Sequence, residues 1–217
     1  MLKSEISSYI ICLIFKCVII TKEVKYPVNS LQKKIISDGT VLPGNILKVD
    51  SFLNHQIDIS LLRDMGKDFF ELFRDKNINK ILTIEASGIA IACYAAEFFN
   101  VPVVFAKKGH HKNVGNDVYT AEVFSYTKGT SYEIAVSKLY IHPEDRILII
   151  DDFLANGQAV LGLQKIIEAA GATLCGAGIA ITKAFQPGEK FLIDAGIDVR
   201  SLAAIEDMMD GTVKFRE

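Results

Sequence analysis

The stretch Arg146–Gly162, RILIIDDFLANGQAVLG, decides the fold class of this 217-residue chain. It contains four consecutive apolar residues, Ile147 to Ile150, and this lack of alternation predicts a strand covered on both faces, as in a parallel sheet. Asp151 and Asp152 follow at the predicted end of the strand. Because ligands of open α/β sheets bind beyond the carboxyl ends of the strands, both carboxylates are candidate ligand-binding groups.

The loop after the acidic pair predicts an anion site. Small residues let a phosphate approach the backbone, and the first amides of the following helix, predicted over 159–170, have no partner within the helix. These N–H groups and the helix dipole favour a phosphate. The candidate phosphate-binding residues are Ala155, Asn156, Gly157, Gln158 and Ala159. Carboxylates beside an amide nest suit a sugar phosphate, although a plain strand-to-helix turn with solvated carboxylates remains open on this pattern alone.

Composition sets the broad class. Half of the residues are apolar, enough for the core of one domain with at most a small subdomain. The net charge of −2 gives no general attraction to nucleic acid or to an anionic membrane. The four cysteines show neither CxxC spacing nor an accompanying histidine cluster, so we expect no zinc site and a reducing, cytoplasmic setting.

The apolar run, acidic pair and small-residue loop resemble the phosphoribosyl pyrophosphate signature of the type I phosphoribosyltransferases. The segment IIDDFLANGQA is similar to the corresponding segment of the purine-salvage members that act on xanthine, and the resemblance covers residues 28–217 nearly throughout. It implies an α/β fold: an open, mostly parallel sheet flanked by helices, a small hood from about 28–58 and 185–217, and a flexible β-hairpin flap. Alternating strands and helices from residue 80 predict the same doubly wound sheet.

Residues 1–27 do not match the rest of the chain. Tyr9–Ile20 is apolar but contains Lys16, and it is shorter than the roughly 20 residues that a membrane-spanning helix needs. No small-residue cleavage site follows it. Because the resemblance begins near Val28, we expect residues 1–27 to be an extension outside the fold that comes from an over-extended translation start. A membrane-associating segment is the rival interpretation.

Two helices are predicted before the first sheet strand. Asn29 or Ser30 is placed to cap a helix that ends at Gly39, and Ser60 to cap a second helix over 61–76. The second helix has apolar residues at helical spacing, which indicates a core-facing stripe.

A second strand–turn–helix unit resembles the pyrophosphate loop of the family. Strand Lys80–Ile84 is followed by the turn Glu85-Ala86-Ser87-Gly88. The resemblance implies that this loop, with Ser87 and Gly88, binds pyrophosphate through backbone amides, often with an unusual peptide geometry. From the residues alone, a plain turn is an equal alternative.

The resemblance also gives a role to the basic run after the third strand. It implies that Lys107 reaches pyrophosphate, in some relatives across a dimer interface, although basic runs are usually solvated. His110 and His111 are not assigned to a metal. The alternating segments 118–126 and 132–137 predict the hairpin flap.

The resemblance places purine recognition on Leu47, Asn54 and Lys183. An Asn side chain both donates and accepts hydrogen bonds, which suits a purine edge. A lysine fits the 6-oxygen of an oxopurine and rejects the 6-amino group of adenine, which is itself a donor. Lys183 in a structural ion pair is the alternative.

The implied reaction transfers the 5-phosphoribosyl group from phosphoribosyl pyrophosphate to N9 of xanthine, with Mg²⁺ bound alongside the pyrophosphate. Asp151 and Asp152 would hold the ribose hydroxyls and stabilise positive charge at the anomeric carbon. The family suggests a homodimer. Two alternatives remain: a hypoxanthine/guanine enzyme of the same fold, and a phosphoribosyl-pyrophosphate-sensing regulator of the purine-operon-repressor type.

Overall fold

The computed structural model describes residues 28–109, 117–125, 129–209 and 211–216. The extension 1–27 and its predicted origin lie outside the described residues, as do His110 and His111. The described helices are α1 (Ser30–Asp38), α2 (Ile59–Phe73), α3 (Ser87–Phe99), α4 (Gln158–Ala169) and α5 (Gly188–Asp194). The strands are β1 (Thr40–Leu42), β2 (Ile46–Lys48), β3 (Lys80–Ile84), β4 (Val103–Lys108), β5 (Val118–Ser125), β6 (Thr130–Ser137), β7 (Arg146–Leu154), β8 (Thr173–Lys183), β9 (Val199–Asp207) and β10 (Lys214–Phe215).

Eight strands form the central sheet in the order β10-β9-β8-β7-β3-β4-β6-β5. The five central strands, β9 to β4 in this order, pair in parallel, and antiparallel strands close both edges. The strands β1 and β2 form a separate two-stranded hairpin. This is the predicted mostly parallel α/β sheet with its β5–β6 hairpin. The β1–β2 hairpin lies in the first part of the predicted hood, whereas β9 and β10, in the second part, belong to the main sheet.

Both faces of the sheet are covered by apolar side chains, which explains the unbroken apolar runs. All five residues of β3 are buried. On one face the core includes Phe69 and Phe73 of α2 and Ile91 of α3. On the other face Leu163 of α4 belongs to a second core cluster. Burial on both sides removes any selection for alternation along the central strands.

The caps of the first two helices test the sequence reasoning. Asn29 caps α1 with a capping box, in which its side chain accepts from the Gln32 amide at 2.8 Å and the Gln32 side chain accepts from the Asn29 amide. The prediction that Ser60 caps the second helix is wrong. Asp58 is the cap, since its carboxylate accepts from the Leu61 amide at 3.2 Å, and Ser60 instead donates to that carboxylate.

Two element ends also differ from prediction. The helix α2 ends at Phe73, and a 3₁₀ turn, Arg74–Lys76, completes the predicted span. Strand β7 runs on to Leu154 instead of ending at Ile150, because its pairing with β8 continues through Asp151, Phe153 and Leu154. The acidic pair therefore lies within β7, near its carboxyl end, and the paired backbone of the strand fixes the direction of both side chains.

Candidate active site

The candidate site lies where the carboxyl ends of three neighbouring parallel strands meet. Strands β3, β7 and β8 are adjacent in the sheet, and they end at Ile84, Leu154 and Lys183. Three sequence-predicted segments follow these ends: the turn before α3, the loop before α4 and the turn before α5. The sheet order therefore brings together groups that are separated by about a hundred residues in the chain.

The acidic pair forms the floor of the site. Asp151 is 5% exposed, and its Oδ1 accepts from the Asp152 amide at 3.0 Å. Asp152 Oδ1 accepts from the Phe153 amide at 2.9 Å. Burial, followed by the negative charge of Asp152, raises the pKa of the Asp151 carboxyl well above its ordinary value. Asp151 is thus poised to gain from any cation or hydroxyl donor that enters the site.

The phosphate loop lies beside the carboxylates. Residues 155–159 line a cavity of about 170 Å³ together with Ser125, Tyr132 and Asp151. Gly157 is the N-cap of α4, with φ of 75°, and as a glycine it has no side chain to cap the first amides of the helix. Glycine adopts this left-handed conformation at little energetic cost. The structure therefore brings all five predicted phosphate-binding residues to one cavity, with helix amides not taken by a capping side chain.

The predicted pyrophosphate loop lies on the other side of the acidic pair. A second cavity of about 240 Å³ is lined by Glu85, Ala86, Ser87, Gly88, Lys108, Tyr132, Asp151 and Asp152, among others. The Glu85–Ala86 peptide bond is cis, so the expected unusual peptide geometry is present. Gly88 permits the close packing, because a Cβ atom there would lie 2.2 Å from Thr83 Oγ1 and 3.2 Å from Asp151 Oδ1.

The two lysines at the end of β4 point to opposite faces of the sheet. Lys107 pairs with Ala135 and lines a separate cleft of about 680 Å³. Lys108 lines the carboxylate cavity, and its backbone N–H donates to Glu85 Oε1 at 2.6 Å. Within one chain Lys107 is thus not brought to the site, whereas Lys108, which the sequence reasoning missed, is. Successive side chains of a strand point to opposite faces, so Lys107 and Lys108 cannot both face the site. Only the sheet register decides which of the two does.

Two of the three predicted purine-binding residues, Lys183 and Leu47, are brought together by the β1–β2 hairpin. Lys183, the last residue of β8, donates to the backbone carbonyl of Asn45 at 2.9 Å, and burial lowers the pKa of its ammonium group. Leu47 is only 7% exposed and packs in the core, opposite Val41 in the hairpin. Asn54 is exposed at the end of a π-helical turn. The structure therefore links Lys183 to the hairpin that contains Leu47, whereas Asn54 lies in the turn that follows the hairpin.

A backbone contact joins the turn after Lys183 to the predicted phosphate loop. The turn after Lys183 leads into α5, whose first residue is Gly188, and the Gly188 amide donates to Ala155 O at 3.0 Å. A Cβ atom on Gly157 would lie 3.2 Å from Gly188 O. The turn after Lys183 and the loop 155–159 are therefore packed against each other.

Two absences hold for the described residues. No group of three or more His, Cys, Asp or Glu side chains is arranged to hold a metal ion in the described part of the chain. None of the described helices combines the length and apolar character needed to cross a membrane.

Solved structures with similar coordinates define the class of the fold. An adenine phosphoribosyltransferase from Trypanosoma brucei, in complex with AMP, pyrophosphate and ribose-5-phosphate, superposes with a TM-score of 0.67 at 17% identity over 80% of this chain and 79% of its own. The adenine phosphoribosyltransferase from Saccharomyces cerevisiae gives 0.64 at 20% identity, over 79% of this chain and 97% of its own. The architecture is that of the type I phosphoribosyltransferases.

Sequence relatives narrow the class. No model of a known protein family matches the chain. The xanthine phosphoribosyltransferase of Ruminiclostridium cellulolyticum is 58% identical over 187 residues, which are 86% of this chain and 98% of that protein. That of Clostridioides difficile is 52% identical over 189 residues, 87% of this chain and all of that protein. The chain belongs to the xanthine phosphoribosyltransferase family.

Proposed function

We propose that the chain transfers the 5-phosphoribosyl group of phosphoribosyl pyrophosphate to N9 of xanthine, giving xanthosine 5′-monophosphate and pyrophosphate in purine salvage. The observation that carries the proposal is the junction between the two half-sites. Lys183 and the phosphate loop stand at the ends of adjacent strands, and Gly188 joins them through its hydrogen bond to Ala155. A nucleotide carries its base on C1′ and its phosphate on C5′ of one ribose, and two adjacent strand ends suit these two attachment points.

Each part of the site has a role in this proposal. The amides of residues 155–159 bind the 5′-phosphate, and Ser87 and Gly88 bind the pyrophosphate. Asp151 and Asp152 accept from the ribose hydroxyls between them, and their charge stabilises the cationic anomeric carbon as the bond to pyrophosphate breaks.

Purine selection falls to Lys183, with Leu47 and Asn54 as further proposed contacts. The ammonium group donates to a 6-oxo oxygen and meets a 6-amino group donor to donor. Its hydrogen bond to Asn45 O holds it towards the hairpin. This geometry favours oxopurines over adenine, even though the solved structures of the same fold are adenine enzymes.

Mg²⁺ is the proposed cofactor. Magnesium binds through one or two carboxylates plus substrate phosphates rather than through an all-protein cage. Asp151, Asp152 and Glu85 line one cavity and offer oxygen ligands of this type. When bound, the ion would neutralise the charge of the pyrophosphate leaving group.

A cytoplasmic homodimer completes the proposal. Cys93 and Cys175 are both free thiols, as expected in a reducing compartment. The cleft that holds Lys107 exposes large apolar side chains, including Leu139 and Tyr140, which are 71% and 59% exposed. Such a face suits a second copy, and Lys107 would then act from the partner's side. Light scattering should report a dimer, and Leu139→Glu should shift it towards a monomer.

A spectrophotometric assay tests the activity. The purified chain is given Mg²⁺, phosphoribosyl pyrophosphate and, in turn, xanthine, guanine, hypoxanthine or adenine. We expect the highest kcat/KM with xanthine. Equal rates with guanine would replace the assignment by the hypoxanthine/guanine enzyme, and tight phosphoribosyl pyrophosphate binding without turnover would favour the sensor.

A paired variant makes the assay specific for the site. Lys183→Ala should lose the preference for oxopurines over adenine. Lys190→Ala is the matched control, because Lys190 lies on α5 in an exposed i,i+4 ion pair with Asp194. If Lys183→Ala behaves like Lys190→Ala, the proposed base site is wrong.

A further inference from the structure

One residue of the β5–β6 hairpin reaches both cavities of the site. Tyr132 is the third residue of β6, pairs with Val123 of β5 and is half-buried against the core on the α4 side. It lines the phosphate-loop cavity and also the carboxylate cavity. Asp151 is shared by the same two cavities. Among the described residues of the hairpin, Tyr132 is thus the side chain that stands where the two cavities meet.

The surroundings of Tyr132 keep its phenol protonated. Burial, followed by the negative charge of Asp151, raises the pKa of the Tyr132 phenol. The Lys108 ammonium lies 5.6 Å from the centroid of its ring, a cation–π distance. The ring is thus held by a cation and by the core, and its hydroxyl is an O–H donor on a side chain that lines the same cavities as Asp151.

Phosphoribosyl pyrophosphate bound across both cavities would lie beside this side chain. Its 5′-phosphate would lie at residues 155–159 and its pyrophosphate at Ser87 and Gly88, with the ribose between them over Asp151. The carboxylates there accept hydrogen bonds and repel phosphate oxygens. A neutral donor at the junction offers what the acidic pair lacks.

We infer that Tyr132 is a further substrate-binding residue, whose hydroxyl donates a hydrogen bond to an oxygen of phosphoribosyl pyrophosphate at the junction of the two cavities. The inference rests on the proposed function, because it takes phosphoribosyl pyrophosphate as the ligand. It assigns the hairpin a defined contact with the phosphoribosyl donor and none with the purine.

Tyr132→Phe tests the hydroxyl alone, since the ring and its packing remain. A hydrogen bond to a charged group is worth enough that its loss should weaken phosphoribosyl pyrophosphate binding by about 10-fold or more. The KM for xanthine should stay unchanged. Binding is measured by titration calorimetry with phosphoribosyl pyrophosphate and Mg²⁺, and KM values by the xanthine assay.

The hairpin supplies a matched control. Tyr119 lies on β5, is half-buried against the same core cluster and has the Lys138 ammonium 5.5 Å from its ring centroid, yet it lines neither cavity. Tyr119→Phe should therefore bind phosphoribosyl pyrophosphate as the unmodified chain does. Thermal denaturation of both variants checks that each remains folded to the same extent.

The outcomes separate this inference from the proposed function. If Tyr132→Phe binds phosphoribosyl pyrophosphate within twofold of the unmodified chain, or if Tyr119→Phe loses as much, the inference is overturned. If the unmodified chain binds phosphoribosyl pyrophosphate but does not use xanthine, the proposed function fails and the calorimetric comparison still decides the role of Tyr132. Failure of the unmodified chain to bind phosphoribosyl pyrophosphate overturns both.

Discussion

Gly188→Ala is the sharpest test of the junction between the two halves of the site. A Cβ atom on Gly188 would lie 2.3 Å from Ala155 O and 2.7 Å from Gly157 N. Ordinary van der Waals contact begins at 3.4 Å, so the nearer atom has to give way by about 1 Å. Both neighbours are backbone atoms of the phosphate loop, and neither can rotate away as a flexible side chain would.

The expected loss follows from this displacement. Moving a binding group by about 1 Å costs up to roughly 100-fold in rate, so we expect kcat/KM for phosphoribosyl pyrophosphate to fall about 10- to 100-fold. Overpacking should also lower the free energy of unfolding by about 1–3 kcal/mol. Helix propensity alone predicts the opposite sign, because alanine is favoured over glycine in a helix by up to about 1 kcal/mol.

Gly196→Ala is the matched control for Gly188→Ala. Gly196 follows the other end of α5, has φ of 80° and would place its Cβ in open space. Alanine there should cost about 1–2 kcal/mol of stability through backbone strain, without touching the phosphate loop. Steady-state kinetics and urea denaturation are measured for both variants. If Gly188→Ala retains kcat/KM within twofold, or loses no more than Gly196→Ala, the junction does not position the loop.

Three further outcomes are expected. The raised pKa of Asp151 means that the folded state favours the protonated carboxyl, so its stabilising contribution is present at low pH and is lost as the pH rises through the folded pKa. Asp151→Asn should therefore raise the thermal midpoint of unfolding more at pH 8 than at pH 4. An equal gain at both pH values would contradict this reasoning. Asn29→Ala removes the capping hydrogen bond of α1 and should lower the free energy of unfolding, measured by urea denaturation, by about 1–2 kcal/mol. A loss below about 0.3 kcal/mol, on the order of that of a surface substitution, would show that the cap is dispensable. Gly88→Ala should lower kcat/KM, because the new Cβ atom clashes with Thr83 Oγ1 and displaces the predicted pyrophosphate loop. Adding Thr83→Ala should restore part of the lost kcat/KM. A double variant with the same kcat/KM as Gly88→Ala would refute that contact.

Local patterns predicted the frame of the molecule well. Apolar runs gave the central strands, and the small-residue turns after two of them gave the loops that line the cavities. These features depend on the burial and the backbone conformation of segments of about ten residues, so the local sequence predicts them without knowledge of the fold. The Ser60 cap was wrong because Asp58, Ser60 and their neighbours offer several capping side chains, and local sequence does not decide between them.

Other features depended on register. The end of β7 could not be placed at Leu154 from sequence, since only pairing with β8 extends the strand past the acidic pair. The choice between Lys107 and Lys108 has the same origin, because a shift of one residue exchanges the two faces of a strand. The role of Lys107 across a dimer interface remains a prediction.

By itself the sequence determined the parts: a doubly buried strand that carries two carboxylates, a glycine-containing loop after it, and a lysine at the end of the next strand. Only the tertiary structure decided how these parts face one another. It placed Tyr132 and Lys108 beside Asp151, and it packed Gly188 against the phosphate loop. The physical reason is that side-chain type and backbone propensity act locally, whereas contacts between distant segments follow from sheet order and register, which the whole chain sets together.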